Sequence, residues 1–150
     1  MSSIKHQLYA SCLSSIENRI ILLQEVIHSA QLSANAETKS SVGDKYETGR
    51  TMVQLEIEKN SAQLAEAQKV KRALEQFSPD TKSVTVQVGS LILTDQGNFY
   101  VSVAAGCIEL NGKSFFLISP ASPLAQKMLG CKVSDAPVFR DKRFVIQEIL

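Results

Sequence analysis

The chain has 150 residues, of which 44% are hydrophobic and 21% charged, and its formal net charge is +1. This length and composition are those of a soluble protein with one domain or two small ones. A net charge so close to zero gives no reason to expect nucleic-acid or membrane binding. No apolar run approaches the ~20 residues of a membrane span, and the N-terminus lacks a signal-peptide core. The sequence therefore predicts a cytoplasmic protein.

The three cysteines, Cys12, Cys107 and Cys131, are widely spaced and form no CxxC pair. The two histidines, His6 and His28, form no metal-ligand motif with them. This pattern is typical of buried or half-buried thiols in a reducing compartment. It favours neither a zinc site nor a cysteine nucleophile, because no histidine follows Cys107 to act as its base.

The two halves of the chain differ in composition. Residues 4–77 contain no proline and two glycines, whereas all four prolines and the other five glycines come later. The change falls at Ser78-Pro79-Asp80, which is a turn signal. We therefore predict a helical hairpin over residues 1–77 and a β-rich domain over residues 78–150.

The first half carries two apolar stripes with heptad spacing, typical of helices that pair along one face. The members of the first and then of the second stripe are Tyr9, Leu13, Ile16, Ile20, Leu23, Ile27, Ala30, Ala34; Val53, Ile57, Asn60, Leu64, Ala67, Lys71 and Leu74. Neither helix can bury its stripe alone, so the stripes predict an antiparallel hairpin. Asn60 lies on the second stripe, where a polar residue can fix the register of a coiled coil.

The polar segment 36–50 lies between the stripes and is predicted to form the tip of the hairpin. A helix from Ile4 to Ala36 would extend ~50 Å, so the tip is expected to project from the β-rich domain. Asp44 and Glu47 are three residues apart, which favours one side of a helical turn for both carboxylates. Two interpretations stay open. They form an acidic capping box, or they present hard oxygen ligands to a Mg²⁺ ion held elsewhere.

The second half has the alternation and turn residues of a β domain. Strands are predicted over residues 83–88, 91–93, 99–103, 114–118 and 144–150, with hairpin turns at 95–98 and 111–112. A short helix is predicted from Pro123 to Leu129, with Ser122 as its N-cap and Gly130 as its stop. One short helix on an antiparallel sheet is an α+β layer fold.

The segment Ile118–Asp135, ISPASPLAQKMLGCKVSD, resembles the signature of the bacterial Gre transcript-cleavage factors. That signature begins approximately I-S-x-x-S-P-L and continues through L-L-G to K-x-G-D. A helical hairpin followed by this domain is also similar to the whole Gre architecture, so the resemblance covers the full chain. It implies an α+β fold with an N-terminal antiparallel coiled-coil hairpin and a C-terminal FKBP-like antiparallel β domain with one short helix.

The resemblance also implies a function. Gre factors insert their hairpin into the secondary channel of bacterial RNA polymerase, where tip carboxylates help to bind a catalytic Mg²⁺ ion and the polymerase cleaves backtracked RNA. Carried over, Asp44 and Glu47 are the candidate catalytic residues, acting in trans. The candidate partner-binding residues are Ser119, Pro120, Ser122, Pro123 and Leu124. The chain would be a monomer and not an enzyme, with no metal or cofactor of its own, and would meet nascent RNA only indirectly.

Departures from the family pattern keep other functions open. After the aspartate the family usually continues L-x-E-N-A-E-Y, whereas this chain continues Lys45-Tyr46-Glu47-Thr48-Gly49-Arg50. One alternative is a secondary-channel regulator or inhibitor of RNA polymerase that does not stimulate cleavage. Another is a coiled-coil interaction protein unrelated to transcription. Two basic clusters are interpreted as solvated faces, with contact to RNA or to an acidic polymerase surface as the alternative: Lys69, Lys71, Arg72; and Lys132, Arg140, Lys142, Arg143.

Overall fold

The computed structural model describes the backbone of residues 3–38 and 43–150, and the side chains of residues 3–35 and 49–150. The architecture is α+β, as the sequence predicts. In chain order the elements are α1 (Ile4–Thr38), α2 (Gly43–Glu75), β1 (Leu91–Thr94), β2 (Gly97–Val101), β3 (Gly106–Leu110), β4 (Lys113–Ile118), α3 (Pro123–Met128), β5 (Val138–Phe139), β6 (Lys142–Arg143) and β7 (Ile146–Ile149). Two compact units are present, one formed by Met1–Ser14 with Arg72–Leu150 and the other by Ser15–Lys71.

The unit Ser15–Lys71 contains most of the helical hairpin. The burial pattern along α1 and α2 confirms the heptad prediction. Every member of the two predicted stripes that the structure describes is buried or half-buried. Lys71 Nζ lies 3.8 Å from Glu17 Oε1 across the pair of helices. Such a solvent-exposed ion pair contributes at most about 1 kcal/mol, so the hairpin depends on its apolar seam. Over its described residues, neither long helix has the apolar stretch that a membrane span requires.

Asn60 occupies the seam as predicted, and only 8% of its surface is exposed. Its Nδ2 donates to the carbonyl oxygen of Glu56, 2.9 Å away and one turn earlier in α2. The hydrogen bond therefore stays within one helix. A buried amide that bonds within its own helix occupies a seam position without adding apolar contact between the helices.

We expect Asn60→Leu to raise the free energy of unfolding of the hairpin by about 1–2 kcal/mol, because leucine adds buried apolar area at this seam position. Urea unfolding followed by helical circular dichroism measures the change. Asn18→Leu, at an exposed position of α1, is the matched control and should stay within about 0.5 kcal/mol of the wild type. A loss of stability in Asn60→Leu would contradict this interpretation.

The first turns of α1 belong to the same compact unit as the sheet. Ser3 caps the helix, since its Oγ accepts from the backbone N–H of His6 at 3.2 Å. Lys5 is 4% exposed, and its Nζ donates to the carbonyl oxygens of Thr81 at 2.6 Å and Leu150 at 3.2 Å. Burial lowers the pKa of Lys5. Lys5 therefore ties the start of α1 to the chain segments before and after the sheet.

The five-stranded sheet has the order β3-β4-β2-β1-β7. The β3–β4 hairpin turns at Asn111-Gly112, where φ is 53° and 77°, as the sequence predicts. The pair β2 and β4 is parallel, with Phe99 beside Phe116 and Tyr100 beside Leu117. The other strand pairs of this sheet are antiparallel, as the sequence predicts, and β2–β4 is the parallel exception among the described strands. The β3–β4 hairpin inserts its second strand beside β2, and β4 consequently runs in the same direction as β2.

The prediction of a strand over residues 83–88 is wrong. This segment makes one isolated bridge, Thr85 to Lys132, and Val86 exchanges 2.8 Å backbone bonds with Gly130 and Cys131. Val86 is buried, but Val84 is 86% exposed. The alternating valines gave a strand pattern, yet only one of them reaches the core.

Both faces of the sheet carry buried apolar side chains. On one face the core cluster is formed by Val86, Ile92, Phe99, Val101, Ala125, Met128, Phe144, Ile146 and Ile149. Residues that alternate with these along the strands, such as Leu91 and Tyr100, are also fully buried. Tyr100 Oη and Ser102 Oγ lie there with no hydrogen-bond partner among the described residues. Burial is the main cause that raises the pKa of Tyr100.

Candidate functional site

The segment that carries the Gre-like sequence forms a fixed loop followed by α3. Ser119 Oγ accepts from the backbone N–H of Ala121 at 3.1 Å. The Ser119 carbonyl oxygen accepts from the N–H of Ser122 at 3.0 Å. Gln126 Nε2 donates to the Pro120 carbonyl oxygen at 2.7 Å. These bonds hold the loop against the start of the helix.

The predicted helix is confirmed. Ser122 is its N-cap, and its Oγ accepts from the N–H of Ala125 at 3.3 Å. Pro123 occupies the first turn, where its missing N–H costs nothing. Gly130 ends the helix with φ at 86°, a conformation that glycine adopts without strain. Ala125 and Met128 are fully buried and fix α3 to the sheet.

The five predicted partner-binding residues differ in exposure. Pro123 is exposed, whereas Ser119, Pro120, Ser122 and Leu124 are half-buried. The two serine hydroxyls already accept backbone hydrogen bonds within the loop. Part of this sequence pattern therefore has a structural role, and Pro123 is the member of the set most open to a partner.

The predicted tip carboxylates belong to α2, which begins at Gly43. The side chains of Asp44 and Glu47 lie outside the described residues, as does the side chain of Tyr46. Their assignment to a capping or a ligand role stays a prediction. Among the described residues, no three side chains of the histidine, cysteine, aspartate and glutamate types come together as a metal site.

A groove lies beside α3, and the sequence does not predict its aromatic residues as a site. It encloses about 320 Å³ and is lined by Gln96, Phe99, Phe116, Leu124, Phe139, Arg140, Lys142 and Phe144. The Phe99 ring stacks on Phe116 with centroids 5.7 Å apart and meets Phe144 edge-on at 5.8 Å. We call this feature the aromatic groove. Leu124 belongs both to the groove and to the predicted partner-binding set.

The small hairpin β5–β6 forms one wall of the aromatic groove. Phe139 pairs with Lys142 across it, and the turn between them consists of Arg140 and Asp141 with φ at 51° and 63°. The Arg140 guanidinium carbon lies 5.2 Å from the centroid of the Phe139 ring. The second basic cluster is thus divided, because Arg140 and Lys142 line the groove whereas Lys132 and Arg143 do not.

The three thiols occupy different environments. Cys12 is buried, Cys131 is half-buried and Cys107 is exposed, so the expectation that all three are at least half-buried is wrong for Cys107. Burial raises the pKa of Cys12 to about 11. The pKa of Cys131 is raised mainly by burial and to a smaller extent by the Asp135 carboxylate.

No protein-family model and no curated protein matches the sequence. Among solved structures, the chain is similar to the structure of the transcription factor Gfh1. The two are 19% identical, the match covers 94% of this chain and 92% of that chain, and the TM-score is 0.31. At this identity and score the similarity carries no argument about function.

Sequence reasoning found the loop and its helix because capping residues leave a local signal. It missed the aromatic groove because Phe99, Phe116 and Phe144 come from three separate strands or connections and meet only in the folded sheet. The Arg140-Asp141 turn also lacks the Asn-Gly signal of a two-residue hairpin. The sequence interprets its cationic side chains as a solvated face, with contact to RNA or to an acidic polymerase surface as the alternative, and does not place them beside aromatic rings.

Proposed function

We propose that this chain binds bacterial RNA polymerase in its secondary channel and stimulates the polymerase to cleave backtracked RNA. The observation that carries the proposal is the presence, in one chain, of a long helical hairpin and a β-rich domain with the Gre-like sequence Ile118–Asp135. Helical hairpins are common among unrelated proteins. The ordered match over the loop and α3 is what directs the proposal to this family.

In the proposal, Asp44 and Glu47 act in trans. They are three residues apart in the sequence, a spacing that on a helical turn favours one side for both carboxylates. Carboxylates of this kind bind Mg²⁺ together with water and phosphate oxygens. Two metal ions in a nuclease site stabilise the attacking and leaving oxygens of a phosphodiester. The chain supplies oxygen ligands and orients the attacking water, while the polymerase holds the RNA and the Mg²⁺ ion.

The metal is proposed to belong to the polymerase and not to the isolated chain. Two carboxylates alone do not fill the near-octahedral shell that Mg²⁺ requires. The remaining ligands would come from the polymerase active site, from water and from the RNA phosphate. The chain is accordingly proposed to have no active site and no cofactor of its own.

The test uses stalled elongation complexes of a bacterial RNA polymerase that hold backtracked RNA labelled at its 5′ end. We expect the wild-type chain to accelerate shortening of the RNA from its 3′ end. The stimulation of cleavage by Asp44→Ala/Glu47→Ala should be at least tenfold weaker than that by the wild type, since this variant lacks the proposed ligands. The same variant should still compete with the wild-type chain for the polymerase, because the loop and α3 are unchanged.

Glu25→Ala/Glu66→Ala is the matched control. Both glutamates are exposed on the described part of the hairpin, and the variant removes the same number of negative charges. Its stimulation should equal that of the wild type. Full stimulation by Asp44→Ala/Glu47→Ala would overturn the role of the tip, and absence of binding to polymerase would overturn the whole proposal.

A second candidate function is a polymerase regulator that occupies the secondary channel without stimulating cleavage. Lys45 between the two carboxylates in sequence, and Gly49 within α2, favour it. A neighbouring cation weakens the attraction of a carboxylate pair for a metal, and glycine costs about 1 kcal/mol inside a helix. The same assay separates the two candidates. This regulator would compete for the polymerase while leaving the RNA uncut.

A further inference from the structure

The aromatic groove has an apolar floor with an open side. Phe99 and Phe144 are 7% and 6% exposed, whereas Phe116 is 42% exposed. Leu124 and Phe139 are half-buried and complete the apolar lining. An exposed phenylalanine beside a cavity leaves apolar surface in water, and the hydrophobic effect favours a partner that covers it. The groove is therefore suited to receive an apolar side chain.

The charges at the groove have one sign. Arg140 and Lys142 line it, and no carboxylate of the described residues does so. Asp141, in the same turn, is exposed and stands outside the lining. The chain as a whole carries a net charge of only +1, so this pair is a local positive field. A ligand with negative charge next to its apolar group matches it.

The Arg140 side chain is held at the groove by its surroundings. Its guanidinium lies over the Phe139 ring and makes a cation–π contact with it. Arg140 and Asp141 both have left-handed backbone conformations, which asparagine and glycine adopt more easily than arginine. A cationic residue therefore occupies a turn position whose backbone conformation favours asparagine or glycine. That placement fits a binding role for Arg140.

The groove is at the small end of the range of ligand pockets, a size that suits one large side chain. Its volume of about 320 Å³ lies at the lower end of the ~300–1,000 Å³ typical of such pockets. A single-stranded RNA base would need an exposed ring face for stacking. Phe99 and Phe144 are buried, and Phe99 is in ring contact with both Phe116 and Phe144. An aliphatic or aromatic side chain that enters the groove from its open side does not need an exposed ring face, as a stacked base does.

We propose that the aromatic groove binds an acidic segment of a partner protein that inserts one large apolar side chain. The apolar side chain would contact Phe116, Leu124 and Phe139, and carboxylates beside it would meet Arg140 and Lys142. The proposal goes beyond the proposed function, and its test uses peptides without polymerase. A failure in one test is consequently distinguishable from a failure in the other.

The test begins with a displayed library of random 12-residue peptides, selected on the full-length chain and counter-selected on Arg140→Glu/Lys142→Glu. We expect enriched peptides to carry leucine, isoleucine, methionine or phenylalanine within two positions of aspartate or glutamate. The affinity of the leading peptide, made synthetically with a fluorescent label, is then measured by fluorescence anisotropy. Arg140→Gln/Lys142→Gln should weaken it about tenfold, with a smaller dependence on salt than the wild type.

Two variants of the chain and two probes complete the design. Lys82→Glu/Lys113→Glu, at exposed positions outside the groove lining, makes the same charge change as the counter-selection variant and should bind like the wild type. Phe116→Ser should weaken binding at least fivefold, because this ring is the most exposed phenylalanine of the groove. A peptide with alanine at its apolar position should bind at least fivefold more weakly, and a uridine oligonucleotide should not compete.

Several results would overturn the proposal. They are the absence of any enriched peptide, enrichment of peptides without acidic residues, and equal affinity for the wild type and Arg140→Gln/Lys142→Gln. Competition by the uridine oligonucleotide at the concentration of the peptide would assign the groove to nucleic acid instead. Unchanged circular dichroism and urea midpoint for each variant show that the fold is intact in every comparison.

Discussion

Leu8→Ala is expected to lower the free energy of unfolding by about 2–5 kcal/mol, the cost of emptying a fully buried leucine site. Leu8 is 0% exposed, although it lies outside the heptad stripe of α1. It belongs to the compact unit that joins Met1–Ser14 to Arg72–Leu150. The loss should therefore appear in the β-rich unit as well as in the helix. Hydrogen exchange of the amides in β1 and β2, followed by mass spectrometry, measures it.

Leu22→Ala is the control for this substitution. Leu22 lies in the same helix and is 60% exposed, so the identical change should alter stability by no more than about 0.5 kcal/mol. Protection of the β1 and β2 amides should stay at the wild-type level. Unchanged strand protection in Leu8→Ala would contradict the assignment of the first turns of α1 to the unit that contains the sheet.

The second large effect is a loss of stability at alkaline pH that depends on Cys12. Burial raises the pKa of this thiol from 9.0 to about 11 in the folded chain, and Cys12 is 1% exposed. A raised pKa means that the folded state holds the proton more tightly than the unfolded state. The resulting stability is fully present below pH 9 and is lost as pH rises through 11. A difference of about 2 in pKa corresponds to ~3 kcal/mol.

Urea unfolding of the wild type and of Cys12→Ala at pH 8 and pH 11 measures this contribution. The wild type should lose about 2–3 kcal/mol more than Cys12→Ala over this interval. Comparing the two chains removes the effects of the other groups. Burial also raises the pKa of Tyr100, so the ionisation of Tyr100 at high pH lowers the stability of both chains. Burial lowers the pKa of Lys5, so Lys5 raises the stability of both chains over the same interval.

Cys107→Ala is the matched control, because this thiol is exposed. The free energy of unfolding of Cys107→Ala should change with pH as that of the wild type does. If Cys12→Ala also follows the wild type between pH 8 and pH 11, the thiol is not desolvated in the folded chain, and the burial of this face of α1 is wrong.

The hairpin could be predicted from the sequence because heptad spacing is a local and repeated signal. Each stripe position restates the same 3.5-residue period, and the described stripe residues are buried or half-buried as expected. Turns and caps are equally local. Asn111-Gly112 and the Ser122-Pro123 start of α3 depend on the conformations that a few neighbouring residues prefer. The candidate tip residues Asp44 and Glu47 are likewise predicted from a local feature, their spacing in the sequence.

The sequence by itself determined the helical hairpin, the β-rich half, the capped loop and the candidate residues Asp44 and Glu47. Only the tertiary structure decided that Lys5, Leu8 and Cys12 form a second buried face of α1. That face is invisible to the heptad pattern, because its partners are far away in the chain. The parallel pairing of β2 with β4 and the aromatic groove arise in the same way. They depend on contacts between distant segments, which local spacing does not encode.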